Sequence, residues 1–66
     1  MQIKFNGKAL EVASESLSDL LRSKNLEPQM VSVELNEQPI DSDHFAQTRL
    51  KEGDEVEVLM FMGGGR

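Results

Sequence analysis

The chain has 66 residues, of which 38% are hydrophobic and 29% charged, and it contains no cysteine. This length predicts one small domain, and the missing thiols exclude disulfides, zinc–thiolate sites and an internal sulfur nucleophile. Twelve acidic residues stand against seven basic ones, giving a net charge of −5, so the positive surface typical of nucleic-acid binding is absent. Nucleic acid is therefore not an expected partner.

The apolar content distinguishes the chain from disordered and membrane proteins. Leu, Ile, Val and Phe account for 18 of the 66 residues, above the level of roughly 20% that marks disordered chains. The longest apolar run, Val58 to Met62, has five residues, far fewer than the roughly 20 of a membrane helix, and the first residues show no signal-peptide pattern. We therefore expect a folded cytoplasmic protein that is a monomer when free and does not bind membranes.

The first twelve residues predict a β-hairpin. Apolar and polar residues alternate from Met1 to Phe5, which is the pattern of a half-buried strand. Asn6-Gly7 follows and suits a type I′ turn, because both central residues of that turn need positive φ. Leu10 and Val12 then alternate with polar neighbours, which predicts the returning strand.

Residues 14–25 change to a helical period. The apolar stripe consists of three leucines at i, i+3 and i+4: Leu17, Leu20 and Leu21. Ser16 is placed to cap the helix, and Asp19 completes a capping box while putting negative charge in the first turn. Asn25 and Pro28 predict the end of the helix.

Two more strands are predicted in the middle of the chain. Alternation over residues 31–35 indicates the third strand, which ends in the turn-forming residues 36–39. Ile40 then belongs to a short fourth strand. Residues 41–47 indicate a loop or a single helical turn, with Phe45 as its anchor in the core.

The last strand has an unusual end. If alternation directs Val56, Val58 and Met60 toward the core, Leu59 and Phe61 point away from it. An exposed apolar patch often marks a protein interface. The alternative is that a loop or the end of the helix covers these two side chains.

The order of elements predicts an α+β fold. A short extended piece at residues 48–50 and a turn at Gly53 lead from the polar middle of the chain into the last strand. If the first and last strands pair in parallel, the helix packs across one face of a mixed sheet of four to five strands. That arrangement is the β-grasp fold.

The segment Gly63-Gly64-Gly65-Arg66 carries the most functional information. Three glycines after an apolar strand cannot fill a core, so we expect a domain over residues 1–62 and a flexible tail over 63–66. Neither a lysine nor a helix follows to make a phosphate-binding loop. Glycines lack Cβ atoms, so such a tail fits a narrow slot and three residues reach roughly 10 Å. It is suited to presenting a terminal carboxylate inside another protein, and a frayed terminus is the alternative.

These features together resemble a known family over nearly the whole chain. Its segments here are the strand before Asn6-Gly7, the leucine stripe, Val33-Glu34-Leu35-Asn36 followed by Ile40, Leu50-x-x-Gly53-Asp54-x-Val56 and the glycine-rich end. They resemble the bacterial sulfur carriers of thiamine biosynthesis, ThiS-like members of the ubiquitin-like β-grasp proteins. The resemblance implies a β-grasp fold.

The resemblance also implies a function. Such a chain is not an enzyme and binds no cofactor; it carries sulfur on its terminal carboxylate. A ThiF-like adenylyltransferase with ATP and magnesium activates the carboxylate, a cysteine desulfurase or sulfurtransferase system delivers the sulfur, and a thiazole synthase receives it. Gly65 is then the reactive residue and Gly64 provides clearance. The residues expected to contact partners are Leu59, Phe61, Met62 and Gly63.

One departure from the family pattern concerns the end of the chain. Family members usually end on glycine, whereas Arg66 follows Gly65 here. Either a peptidase removes Arg66, which is the interpretation adopted here, or Arg66 is foreign to the natural protein, or the activity is lost. Whether Gly64 or Gly65 is the working terminus stays open. The alternative functions are a sulfur carrier for molybdopterin or cysteine synthesis, a ubiquitin-like modifier, or a non-catalytic β-grasp binding module.

Overall fold

A computed structural model describes residues 1–13 and 15–60. Its regular elements, in chain order, are β1 (Gln2–Phe5), β2 (Lys8–Glu11), α1 (Leu17–Ser23), β3 (Val31–Leu35), β4 (Gln38–Ile40) and β5 (Glu55–Met60). Two 3₁₀ segments, Pro28–Met30 and Ser42–Gln47, lie before β3 and after β4. Of the two structures predicted for residues 41–47, the helical one is therefore found.

The five strands form one mixed sheet in the order β2-β1-β5-β3-β4. The central pair, β1 and β5, is parallel, and the other three pairs are antiparallel. The chain passes from β2 through α1 to β3, so the helix belongs to the crossover between the two halves of the sheet. The predicted α+β order, the parallel pairing of first and last strands and the β-grasp arrangement are confirmed.

Both tight hairpins use two residues with positive φ. Asn6 and Gly7 have φ of 51° and 85°, as the type I′ prediction requires. Asn36 and Glu37 have φ of 52° and 71°, so these two residues alone reverse the chain between β3 and β4. The prediction of a turn over residues 36–39 is therefore wrong in its second half, because residues 38 and 39 already pair with β3. Pro39 is compatible with this place, since β4 is an edge strand.

The helical period was predicted over residues 14–25, whereas α1 spans Leu17–Ser23. It begins directly after Ser16, the predicted cap. The backbone N–H of Asp19 donates to Oγ of Ser16 at 3.2 Å, and the N–H of Ser16 donates to the Asp19 carboxylate at 3.4 Å. This reciprocal pair is a capping box. It satisfies two of the N–H groups that a helix start leaves without partners.

The end of α1 is a Schellman motif centred on Asn25. Asn25 has a φ of 61°, and its N–H donates to the carbonyl of Arg22 at 3.0 Å. The N–H of Leu26 reaches back to the carbonyl of Leu21 at 2.9 Å. Asn25 therefore ends the helix, as predicted.

The core lies between α1 and one face of the sheet. Its buried apolar residues are Ile3, Leu17, Leu20, Leu21, Val31, Val33, Phe45, Leu50, Val56 and Val58. Phe45 is the predicted anchor of the Ser42–Gln47 segment. Met60 was considered for a core position, but 49% of its surface is exposed. It belongs to the last residue pair of the β3–β5 ladder, where the sheet ends. Among residues 1–13 and 15–60, no helix has the length and apolarity needed to cross a membrane.

Candidate functional site

Strand β5 leads to the chain segment on which the predicted chemistry rests. It lies at the centre of the sheet, between β1 and β3. The ladder with β1 ends at the pair Phe5–Val56, whereas the ladder with β3 continues to Val31–Met60. The second half of β5 therefore extends beyond β1. The predicted site residues Phe61, Met62, Gly63, Gly64 and Gly65 lie outside the described residues.

Asn6 continues the pairing of β5 after β1 has ended. Its N–H donates to the carbonyl of Val56 at 2.8 Å. Its side-chain Oδ1 accepts from the N–H of Val58 at 2.7 Å, and its Nδ2 donates to the carbonyl of Val58 at 3.3 Å. The side-chain amide thus occupies the place of the next strand residue, while the backbone turns into the β1–β2 hairpin.

Asn36 holds the opposite edge of β5 near its start. Its N–H donates to the carbonyl of Glu55 at 2.7 Å, and its Oδ1 accepts from the N–H of Glu55 at 2.9 Å. Its Nδ2 donates to the carboxylate of Asp54 at 3.0 Å. Two asparagines from two type I′ turns therefore fix β5 from both sides.

Large exposed apolar side chains gather where β5 ends. They are Met30, Leu59 and Met60, with 45%, 71% and 49% of their surfaces exposed, and we call them the exit patch. Pairing of Val31 with Met60 places Met30 at this same end of the sheet. Leu59 points away from the core in the predicted direction, and its role in docking stays a prediction.

Met30 was not among the residues predicted to form a contact surface. It lies in the 3₁₀ segment Pro28–Met30, directly before Val31. Val31 and Val33 are the inward-facing residues of β3. Continuing this alternation by one residue predicts that Met30 points outward. That signal was available in the sequence.

The sheet face opposite α1 carries a shallow groove of about 330 Å³. Its lining residues are Asn6, Ser32, Glu34, Glu57, Val58 and Leu59, and we call it the open-face groove. Glu34 and Glu57 are directly opposed in the β3–β5 ladder. The two ion pairs formed within the described part of the chain, Met1–Glu11 and Arg22–Asp19, involve neither of them.

The described residues assemble no metal centre. No group of three or more His, Asp or Glu side chains within residues 1–13 and 15–60 is placed to hold a metal ion. What the arrangement provides is a central strand β5 hydrogen-bonded to Asn6 and Asn36, an apolar patch at its end and an acidic groove beside it. This geometry suits a domain that presents its C-terminal segment to another protein.

The topology and the placement of this site define a ubiquitin-like β-grasp protein. Comparison with protein families makes the assignment specific: the model of the ThiS family matches residues 3–65. The chain therefore belongs to the ThiS family. It is 32% identical over 65 residues to the sulfur carrier protein ThiS of Bacillus subtilis, a match that covers 96% of this chain and 98% of the relative.

Two further relatives agree with this membership. The crystal structure of the thiamine biosynthesis protein ThiS from Geobacter metallireducens superposes with a TM-score of 0.83 at 38% identity, covering 98% of this chain and all of that one. A thiazole synthase of Magnetococcus marinus is 33% identical over 67 residues. That match covers all of this chain but only 21% of the longer relative. Membership in the ThiS family identifies the chain as a sulfur carrier of thiamine biosynthesis.

Proposed function

We propose that this chain carries sulfur as a thiocarboxylate on Gly65, after removal of Arg66, and donates it for thiazole formation. The observation that carries the proposal is the match of the ThiS family model over residues 3–65, which includes the three glycines. A backbone of three glycines is suited to a narrow active site because it has no side chains to exclude. In this scheme the chain is a protein substrate and the chemistry belongs to its partners.

The first step activates the Gly65 carboxylate. A free carboxylate is a poor electrophile, so a ThiF-like adenylyltransferase attaches AMP from magnesium-bound ATP, and pyrophosphate leaves. The terminal sulfur of a persulfide, formed by a cysteine desulfurase or sulfurtransferase system, then attacks the carbonyl carbon and displaces AMP. Cleavage of the resulting acyl disulfide by a thiol leaves the thiocarboxylate. Since this chain has no cysteine, every thiol that takes part in these reactions belongs to a partner.

The thiazole synthase relative supports the choice of sulfur acceptor. In that protein a segment similar to this entire chain belongs to the same polypeptide as a thiazole synthase. Covalent linkage of two modules raises their effective concentration toward each other, which is useful when one supplies the substrate of the other. We therefore assign the sulfur of this chain to a thiazole synthase.

The exit patch supplies the contact surface for these partners. Leu59 exposes 71% of its surface directly before the final residues, and Met30 and Met60 extend the apolar area. The fully buried core of an interface is more apolar than its rim, and methionine is enriched there. Together with Phe61, Met62 and Gly63, they are the residues that we expect an adenylyltransferase to cover while Gly64 and Gly65 enter its active site.

A reconstituted reaction tests the proposal. The chain ending at Gly65 and the chain ending at Arg66 are each incubated with the ThiF-like enzyme of the same organism, ATP, magnesium, a cysteine desulfurase and cysteine, and their intact masses are measured. We expect one oxygen to be exchanged for sulfur in the Gly65 form alone. A form ending at Gly64 serves as the matched control. Equal inertness of all three forms would reject the sulfur-carrier chemistry and favour a binding module.

A further inference from the structure

The open-face groove contains two carboxylates that the fold forces together. The N–H of Val58 is bonded to Asn6, so the neighbouring residue Glu57 directs its backbone groups toward β3, where its partner in the ladder is Glu34. Directly opposed residues have Cβ atoms roughly 5 Å apart. Both side chains are exposed on the sheet face opposite α1, and such like-charged pairs are unfavourable in an isolated sheet.

The rest of the groove is apolar or weakly polar. Leu59 lies next to Glu57 on the same face of β5, and Ser32 is its cross-strand partner. The concavity of about 330 Å³ also includes Asn6 and Val58, at the place where β1 has ended and its backbone turns away. Two negative charges therefore stand beside an exposed leucine in a recess large enough for one long side chain.

An arginine side chain matches these properties best. Its planar guanidinium group offers a fork of donors that can serve two carboxylates at once, and it is weakly hydrated. Its apolar stem can lie over Leu59. A lysine ammonium is a compact, strongly hydrated point charge. A second copy of this chain, which has a net charge of −5, would be repelled.

We propose that the open-face groove is a docking site for an arginine on the surface of the adenylyltransferase that activates the C-terminal carboxylate. Leu59 belongs both to the groove and to the exit patch, so a partner that covers the patch also covers the groove. This inference rests on the proposed function, because it names the partner through the reaction at Gly65. The groove residues take no part in the reaction at the carboxylate, so this contact governs association and not the chemical step.

Calorimetric binding of the chain to the ThiF-like enzyme, without ATP, tests the groove independently of turnover. The test variant carries Glu34→Gln and Glu57→Gln. The matched control carries Glu37→Gln and Asp43→Asn, which change the net charge equally at exposed positions outside the groove. We expect the Kd to rise about tenfold for the test variant and less than about twofold for the control. Equal shifts in both variants, or no binding by the unmodified chain, would overturn the proposal.

Chemical modification tests the arginine assignment. The adenylyltransferase is treated with phenylglyoxal, which modifies arginines, or with an acetylating reagent for lysines, in the presence of either chain. We expect the unmodified chain to protect one enzyme arginine and the test variant to leave it reactive. Protection of lysines alone would overturn the assignment.

ATP–pyrophosphate exchange, measured at a saturating concentration of the chain, separates the two proposals. If the chain binds the enzyme normally but supports no exchange, the Gly65 chemistry is rejected. If the test variant supports normal exchange and its Kd is unchanged, the groove is rejected.

Discussion

Asn6 has two structural roles that no other residue type combines. Its positive φ of 51° fits the first position of a type I′ turn, which glycine would also allow. Its side-chain amide bonds both backbone groups of Val58, which glycine cannot do. An asparagine at this position therefore couples the hairpin to the strand that leads to the proposed sulfur-carrying segment.

Replacing Asn6 by glycine should separate these roles. Asn6→Gly keeps the turn but leaves the N–H of Val58 without its partner, so the free energy of unfolding should fall by about 1–2 kcal/mol. Asn6→Asp is the control, because it retains an acceptor for that N–H and should lose less. Urea denaturation measures both. An Asn6→Gly chain as stable as the parent would show that the side-chain bonds contribute nothing.

Glu57 should act in opposite directions on stability and on binding. Because it directly opposes Glu34, the change Glu57→Gln removes a like-charge contact and should raise the free energy of unfolding by about 0.5 kcal/mol at low salt. The gain should shrink as salt screens the charges. Glu37→Gln, in the turn, is the control. Urea denaturation at two salt concentrations checks the prediction, which a destabilised Glu57→Gln chain would contradict.

At the scale of elements, the ends of α1 are set by side chains. The capping box of Ser16 and Asp19 starts the helix, and the left-handed Asn25 ends it. The helix has only seven residues, too few for an isolated helix to persist in water. Its three buried leucines and its two caps therefore supply the stability that its length does not.

Loss of the N-cap should be measurable. Ser16→Ala removes the Oγ that accepts from Asp19 and should lower the free energy of unfolding by about 1 kcal/mol. Ser18→Ala is the matched control, since Ser18 lies inside the helix, where alanine has a higher helix propensity than serine. Thermal unfolding followed by circular dichroism compares the two variants. Equal melting temperatures for them would contradict the capping role.

The sequence predicted those elements that depend on local signals. Asn6-Gly7 and the Ser16 capping box were recognised because each is a short pattern with a direct physical cause. The turn at Asn36–Glu37 was predicted to be two residues longer than it is. Glutamate rarely adopts the positive φ that a two-residue turn needs, and proline is itself common in turns. The open-face groove was not predicted at all. Glu34 and Glu57 come together only through the β3–β5 register, which alternation within a single strand does not specify.

The core and the proposed docking surfaces lie on different parts of the molecule. The core lies on the helix side of the sheet, while the exit patch lies at the end of β5 and the groove lies on the opposite face. Surface residues can therefore be changed without affecting the core. The same separation would let a chain of 66 residues act as the proposed specific substrate without enclosing an active site.

Leu59 provides a test of this separation. Leu59→Ser should leave the free energy of unfolding within about 0.5 kcal/mol of the parent, because the side chain is 71% exposed. Its binding to the ThiF-like enzyme should weaken at least about fivefold. Ala9→Ser, at an exposed position on β2, should change neither quantity. Calorimetry and urea denaturation decide the matter: unchanged affinity for Leu59→Ser would remove Leu59 from the interface.

If the C-terminal carboxylate of Gly65 carries sulfur, the intact mass of the protein isolated from its native cells should show it. We expect a species that has lost Arg66 and has exchanged one oxygen for sulfur, with the sulfur disappearing on alkaline hydrolysis. A protein that retains Arg66 and contains no added sulfur, in cells that are actively making thiamine, would contradict it.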